Sequence, residues 1–242
     1  MQIVNLKARL SRSLLCASLA ALALTCTPAL AAGAYTPPSR ARQLAIGYCG
    51  VCHGVNGNSK NPMFPRLAGQ KAWYIEQQLK EFRNHTRRDP YAVSYMWGMA
   101  NGLSNSTIDA LAKYFSRQKP AGGISHATAE VAEGNQIFHH GIPSQGVPAC
   151  AACHGPDALG NANFPRLAGQ HAQYIRKQLA SFRSDMRDVA IMHAICTTLH
   201  VKQDRAVADY LASLSQPPLV TGVTVADNAG GAVVSMTHHH GR

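Results

Sequence analysis

The sequence is short of acid: 12 Asp and Glu stand against 23 Lys and Arg in 242 residues. A surplus of that size favours an acidic protein, anionic lipid or nucleic acid as partner. Long apolar runs are also missing. Leu14 to Leu24 is mostly apolar but too short for a comfortable membrane span, and no later stretch is long enough. Strand-like alternation is scarce, which argues against a sheet protein and for helices. Seven cysteines are present, yet nothing in their placement implies a disulfide framework.

What the chain does have begins with an address. Lys7, Arg9 and Arg12 precede the apolar run, and Ala29-Leu30-Ala31 offers a small-residue cleavage site. Residues 1–31 therefore read as a secretory signal peptide, the mature chain starting near Ala32 in a periplasmic compartment. Cys26, after Ala23-Leu24-Thr25, is a poor match to a lipid-attachment site. Removing the signal takes Cys16, Cys26 and three cations with it, leaving 20 Lys and Arg against 12 Asp and Glu. Nucleic acid is improbable in that compartment, so an acidic protein is the better expectation.

Four of the five remaining cysteines fall in two identical patterns, Cys49-Gly50-Val51-Cys52-His53 and Cys150-Ala151-Ala152-Cys153-His154. Two thiols three positions apart can each form a thioether to a porphyrin vinyl group. The histidine that follows is then held beneath the iron as an axial ligand. A single C-x-x-C also suits a redox dithiol or half a zinc site. Two copies, each followed at once by His, point instead to two covalently bound haem c groups, with His53 and His154 on the irons. Haem attachment requires an exported apoprotein, in agreement with the signal peptide. Cys196, among apolar neighbours, reads as a buried packing residue.

The text around these patterns is duplicated. Phe64-Pro65-Arg66-Leu67-Ala68-Gly69-Gln70 recurs as Phe164-Pro165-Arg166-Leu167-Ala168-Gly169-Gln170, and Tyr74, Ile75, Gln78, Leu79, Phe82 and Arg83 recur 100 residues on. One module has been copied, each copy holding one haem. Ile75, Leu79 and Phe82 have helical spacing, as do Ile175, Leu179 and Phe182. Ile108 to Phe115 make another apolar face after an N-cap at Ser104, and Val207, Leu211 and Leu214 another. Short helices are predicted at Arg40 to Tyr48 and Ala129 to Phe138, so the fold class is all-α. The expected division is a first domain at 32–118, a Pro/Gly linker with few packing contacts at 119–124, and a second domain at 125–216. A flexible tail at 217–242 ends in the His238-His239-His240 run.

The second axial position is read from the repeat. Aligning Leu103 with Leu199 pairs Met96 with Met192, and Met99 with Ile195. Met96 and Met192 are thus the expected distal ligands, with Met99 and His193 the nearest competitors. His/Met ligation fills both axial positions, which suits electron transfer and leaves no open position for substrate.

Both C-x-x-C-H motifs, both F-P-x-L-x-G-Q segments and the Met96-to-Ser104 pattern together resemble the dihaem cytochrome c4 family, built from two class I cytochrome c domains. The resemblance spans roughly Arg40 to Leu214. It implies a soluble or loosely membrane-associated periplasmic carrier between a donor and a terminal oxidase, with haems that approach each other across the domain interface. It also implies that the Pro65 and Pro165 carbonyls receive the N–H of the proximal histidines, orienting each ring. Arg66 and Arg166 then stand either beside a haem propionate or as solvated surface cations. The second copy departs from the pattern at Leu199-His200, which lacks the Leu-Ser helix start.

Three functions compete. The leading one is a carrier whose irons cycle without binding substrate; the next is a haem-bearing electron-transfer subunit of a larger oxidoreductase. A dihaem peroxidase is disfavoured, because it needs an iron free of its distal ligand and both modules keep a candidate Met. Charge suggests where partners dock. Residues 32–124 hold 12 Lys and Arg against 4 Asp and Glu, whereas residues 125–242 hold 8 of each. Lys71, Lys80, Arg83, Arg87 and Arg88 are the expected contacts for an acidic donor or acceptor.

Overall fold

Helical spacing of apolar residues, with hydroxyl side chains at several starts, produces ten α-helices and no strand among the described residues. These are residues 39–123 and 128–215 of a computed structural model. The readings of a signal peptide at 1–31 and of a tail with its histidine run at 217–242 lie outside the described residues.

In the first copy, α1 (Arg40–Leu44) starts where the Ser39 hydroxyl accepts the Arg42 amide. It runs on through a π-helical turn, Ala45–Cys49, into α2 (Gly50–His53). The loop carrying Phe64 to Gln70 leads to α3 (Ala72–Arg83), which turns Ile75, Gln78 and Phe82 inward. A second π-helical turn, Ala92–Met96, feeds α4 (Trp97–Ala100). The Ser104 hydroxyl accepts the Thr107 amide and opens α5 (Asn105–Ser116), as predicted. Leu111, Ala112 and Phe115 of α5 pack on Ala45 and Ile75.

The second copy reaches the same arrangement by a different route. Helix α6 (Ala129–His140), capped by Thr128, ends well short of the haem motif. A 3₁₀ turn at Pro143–Gln145 and an isolated Ile142–Val147 bridge fill the gap before α7 (Ala151–His154). Helices α8 (Ala172–Arg183), α9 (Ala190–Thr198) and α10 (Val201–Ser213) complete it. The missing Leu-Ser start is replaced: the Gln203 carboxamide oxygen accepts the His200 amide at 2.8 Å and opens α10 at the equivalent place. Gly134 of α6 lies against Ala206 of α10 so closely that a Cβ would overlap the Ala206 carbonyl. Phe138, Val207, Tyr210 and Leu211 pack around that crossing with Ile175 and Phe182 of α8.

Helices α3 and α8 also end alike. His85 and Asp185 take the left-handed conformation, φ 58° and 57°. Their amides return to the Phe82 and Phe182 carbonyls, and those of Thr86 and Met186 to Glu81 and Ser181. This is a Schellman stop, made without glycine.

The two copies join through bonds that the repeat makes reciprocal. The Arg66 amide donates to Gln170 Oε1 and the Arg166 amide to Gln70 Oε1, each at 2.9 Å. The same two carboxamides donate back, Gln70 Nε2 to the Arg166 carbonyl and Gln170 Nε2 to the Arg66 carbonyl, also at 2.9 Å. Beside this clasp, Arg87 and Arg187 are both 4% exposed. Arg87 is therefore no docking cation: its guanidinium binds Asp89 at 2.7 Å and Gln178 at 2.7 Å, inside the junction. Of the other expected docking residues, Lys80 is tied to Glu76 and Arg83 to the Leu103 carbonyl, while Arg88 stays exposed. The 119–124 segment also differs from expectation. Asn58 binds the Lys119 carbonyl and the Ala121 amide, and Arg66 binds the Gly122 carbonyl, so the segment is strapped to the first copy as far as Gly122.

Candidate functional site

Each C-x-x-C-H pattern forms one helical turn, because consecutive αR residues bring positions three apart to the same side. Cys49 and Cys52 flank one turn of α2, and Cys150 and Cys153 one turn of α7; all four are half-buried free thiols. Burial pushes the Cys49 thiol up and Cys150 to about 11. His53 and His154 close the turns and are 7% and 8% exposed.

The ring nitrogens of these histidines are assigned by what they meet. His53 Nδ1 lies 2.8 Å from the Pro65 carbonyl oxygen, and His154 Nδ1 lies 3.0 Å from that of Pro165. A carbonyl only accepts, so each Nδ1 carries the proton and each Nε2 keeps its lone pair. Burial lowers both pKa values, which keeps the rings neutral; the carbonyl bond opposes this without reversing it. Phe64 and Phe164 meet the imidazoles edge-on, at 6.1 and 5.8 Å between centroids. An anchored neutral imidazole beside two free thiols, occurring twice, fits a covalently held haem.

The methionines sit differently from their competitors. Met96 ends the second π-helical turn and packs half-buried against the cluster of Phe82, Ala92 and Ala100. Met192, on α9, packs half-buried against the core of the second copy. Met99 is 41% exposed, and His193 Nδ1 meets the Phe182 carbonyl at 2.8 Å, an anchor of the same kind as those of His53 and His154. Both π-helical turns of the first copy thus end on a candidate site residue, Cys49 or Met96, whereas the matching segments of the second copy contain none. Such single π turns recur at functional sites because they re-aim the residues that follow.

Arg66 and Arg166 stand at the junction. Arg66 Nη1 donates to the Gly169 carbonyl at 2.7 Å, and Arg166 Nη2 to that of Ala168 at 2.9 Å. Arg166 is 8% exposed, which rules out a solvated surface cation there. Burial lowers the pKa of Arg66 and brings Arg166 to about 10.

Sequence reasoning missed the residues that hold the copies together: Gln70, Gln170, Gln78, Gln178, Tyr74, Tyr174, Arg87 and Arg187. The signal was present. Each pair recurs 100 residues apart, and Gln78 and Gln178 interrupt the buried faces of α3 and α8, where a polar side chain demands a partner.

Comparison with known proteins agrees with this geometry. Residues 39–119 and 131–215 each match the cytochrome c family. Cytochrome c-552 of Acidithiobacillus ferridurans is 45% identical over 170 residues, 69% of this chain and 73% of that protein. The thiosulfate dehydrogenase electron acceptor of Thiomonas intermedia is 37% identical over 178 residues, 70% of this chain and 80% of its own length. The crystal structure of reduced recombinant cytochrome c4 from Pseudomonas stutzeri superposes with a TM-score of 0.66 at 39% identity, covering 72% of this chain and 97% of that one. With two haem-attachment turns in two helical copies and these relatives, the chain belongs to the cytochrome c family, as a dihaem electron carrier of the cytochrome c4 kind with protein redox partners.

Proposed function

We propose that this protein is a periplasmic carrier in which His53 with Met96, and His154 with Met192, supply the axial pairs of the two irons. It would pass electrons between respiratory proteins, towards a terminal oxidase. The observation that carries the reading is the duplication itself. Each copy carries a buried, carbonyl-anchored imidazole and a half-buried methionine, a set that would fill both axial positions of its iron. Each haem, when bound, supplies a one-electron ferric/ferrous couple.

The chain's own residues do the rest. The Pro65 and Pro165 carbonyls hold the imidazoles in one tautomer and orientation. Phe64 and Phe164 shield those rings. Arg66 and Arg166 offer cationic groups whose burial penalty a haem carboxylate would offset. The periplasmic assignment draws support from the signal-like residues 1–31 and from the need to export an apoprotein before haem attachment. No helix of the described residues is long and apolar enough to cross a membrane.

Carbon monoxide tests the closed ligand sets. The oxidised protein should take up two electrons per chain, and the spectrum of the reduced form should stay unchanged under the gas. Rapid carbonyl formation at either haem would overturn the reading. The likeness to a thiosulfate dehydrogenase electron acceptor favours a second reading, in which the chain serves one oxidoreductase. Co-purification as a stable complex, rather than as a free small protein, would select it.

A further inference from the structure

The segment carrying each candidate distal methionine is tied back by an arginine at the end of α3 or α8, and the two ties differ. In the first copy Arg83 Nη1 donates to the Leu103 carbonyl at 2.8 Å, the one side-chain bond it makes among the described residues. In the second copy Arg183 does more. Its Nε donates to the Cys196 carbonyl at 2.7 Å and its Nη2 to the Leu199 carbonyl at 3.0 Å. The same Nη2 meets both carboxylate oxygens of Asp204, at 3.0 and 2.8 Å.

The backbone explains why α9 needs this tie. Cys196 lies in its last turn, where carbonyls lack a helical partner. The His200 amide, which would reach back to Cys196 if the helix continued, bonds Gln203 instead. Arg183 therefore closes the open end of the helix that carries Met192, at the end where the dipole favours a cation. Asp204 is what the first copy lacks. With Leu103 aligned on Leu199, Ile108 stands in its place, and both positions are buried, at 0% and 4% exposed. A buried carboxylate holds the guanidinium by charge-assisted bonds, about twice as strong as neutral ones. The span that is held is also shorter, 16 residues from Arg183 to Leu199 against 20 from Arg83 to Leu103.

We propose that Arg183, fixed by Asp204, is a positioning residue for Met192: it holds α9 so that the thioether stays on the second iron. The inference rests on the axial pairing of His154 with Met192 and adds the residues that keep that bond closed. Arg83 does the same for Met96 with one bond and no carboxylate, so the clamp is the stronger in the second copy.

The test uses the whole dihaem protein in its ferric state, with imidazole as the incoming ligand. Exchange breaks an iron–sulfur bond and forms an iron–nitrogen bond, with no change of oxidation state. It is followed as loss of the thioether-to-iron absorption band. Arg183→Gln should speed that loss at one haem by about tenfold or more, the scale of a charge-assisted hydrogen bond, and leave the other haem unchanged. Asp204→Asn, which keeps an acceptor but not the charge, should give a smaller rise at the same haem. Arg83→Gln should act on the other haem, and less strongly than Arg183→Gln. The Met192→Ala background identifies the haem: the band that survives there should be indifferent to Arg183→Gln. Ile137→Val, which removes a core methyl group from α6 of the same copy, should leave both rates close to wild type. Unchanged rates in Arg183→Gln and Asp204→Asn, an equal rise at both haems, or an equal rise in Ile137→Val would each overturn the clamp. A band that Met192→Ala leaves at full size would instead overturn the axial pairing, and the clamp with it.

Discussion

Arg87 and Arg187 share the same two acceptors. Arg87 donates to Gln78 Oε1 at 2.6 Å and Gln178 Oε1 at 2.7 Å; Arg187 donates to both, each at 2.9 Å. Each guanidinium also lies over a phenylalanine of its own copy, Phe82 at 4.7 Å and Phe182 at 4.3 Å. Two buried cations thus share their acceptors, and Asp89 is ion-paired with one of them, Arg87. Burial opposes the charge on Arg87, yet Tyr174 and Asp89 outweigh it and raise its pKa.

Removing that carboxylate should therefore cost more than one hydrogen bond. Asp89→Ala leaves the buried Arg87 cation without its carboxylate, and we expect a loss of about 3–5 kcal/mol. Denaturant unfolding of the haem-loaded protein measures it. A change within about 0.5 kcal/mol, the ordinary range for a surface substitution, would show that the cluster is neutralised some other way.

Gly134 makes a steric prediction. Alanine normally gains about 1 kcal/mol over glycine inside a helix. Here its Cβ would meet the Ala206 carbonyl, so Gly134→Ala should destabilise by about 1–3 kcal/mol, as overpacking does. Thermal unfolding of the variant that rises above wild type would contradict the close crossing of α6 and α10.

His171 predicts a pH response at the junction. Its Nε2 donates to the Ser59 carbonyl of the other copy at 2.9 Å. Burial lowers its pKa; the Ser59 carbonyl works the other way, and the Arg66 charge adds to the lowering. The unfolded chain then takes up the proton more readily than the folded one. This contribution to stability is full above the ordinary histidine range and is lost as pH falls through it. Melting temperature should drop less steeply between about pH 7 and 5 in His171→Gln than in wild type; parallel curves would exclude the effect.

The methionine assignment gives spectroscopic outcomes. Met96→Ala should abolish the thioether-to-iron absorption band of one haem, and Met192→Ala that of the other. Met99→Ala and His193→Gln should leave both bands in place, since the repeat pairs Met99 with Ile195 and gives His193 no histidine counterpart in the first copy. Loss of a band in Met99→Ala with retention in Met96→Ala would reverse the alignment of the two copies.

Much of this was legible in the residues. The haem turns follow from thiol and histidine spacing, and the start of α5 from Ser104. The Schellman ends of α3 and α8 were not, because His85 and Asp185 sit where glycine is the usual signal. Nor were the π-helical turns before Cys49 and Met96: one residue added to a turn leaves no trace in apolar periodicity over five positions. Arg87 was misread because a lone cation in sequence looks solvated. Its burial depends on Gln178 and Tyr174, some ninety residues away, and no local pattern carries that information. The segment after Gln118 looked loose for the same reason, since Asn58 and Arg66 that hold it belong to a distant loop.

The reciprocal Gln70 and Gln170 clasp has a consequence for how such a molecule is assembled. Its bonds are polar and its symmetry is that of a homodimer whose halves happen to share a backbone. Free in solution, two modules with so hydrophilic a contact would associate weakly. A short connecting segment raises each half's effective concentration for the other to roughly millimolar or more. The tether thus substitutes for hydrophobic area: a surface fit for a passing encounter becomes a permanent union.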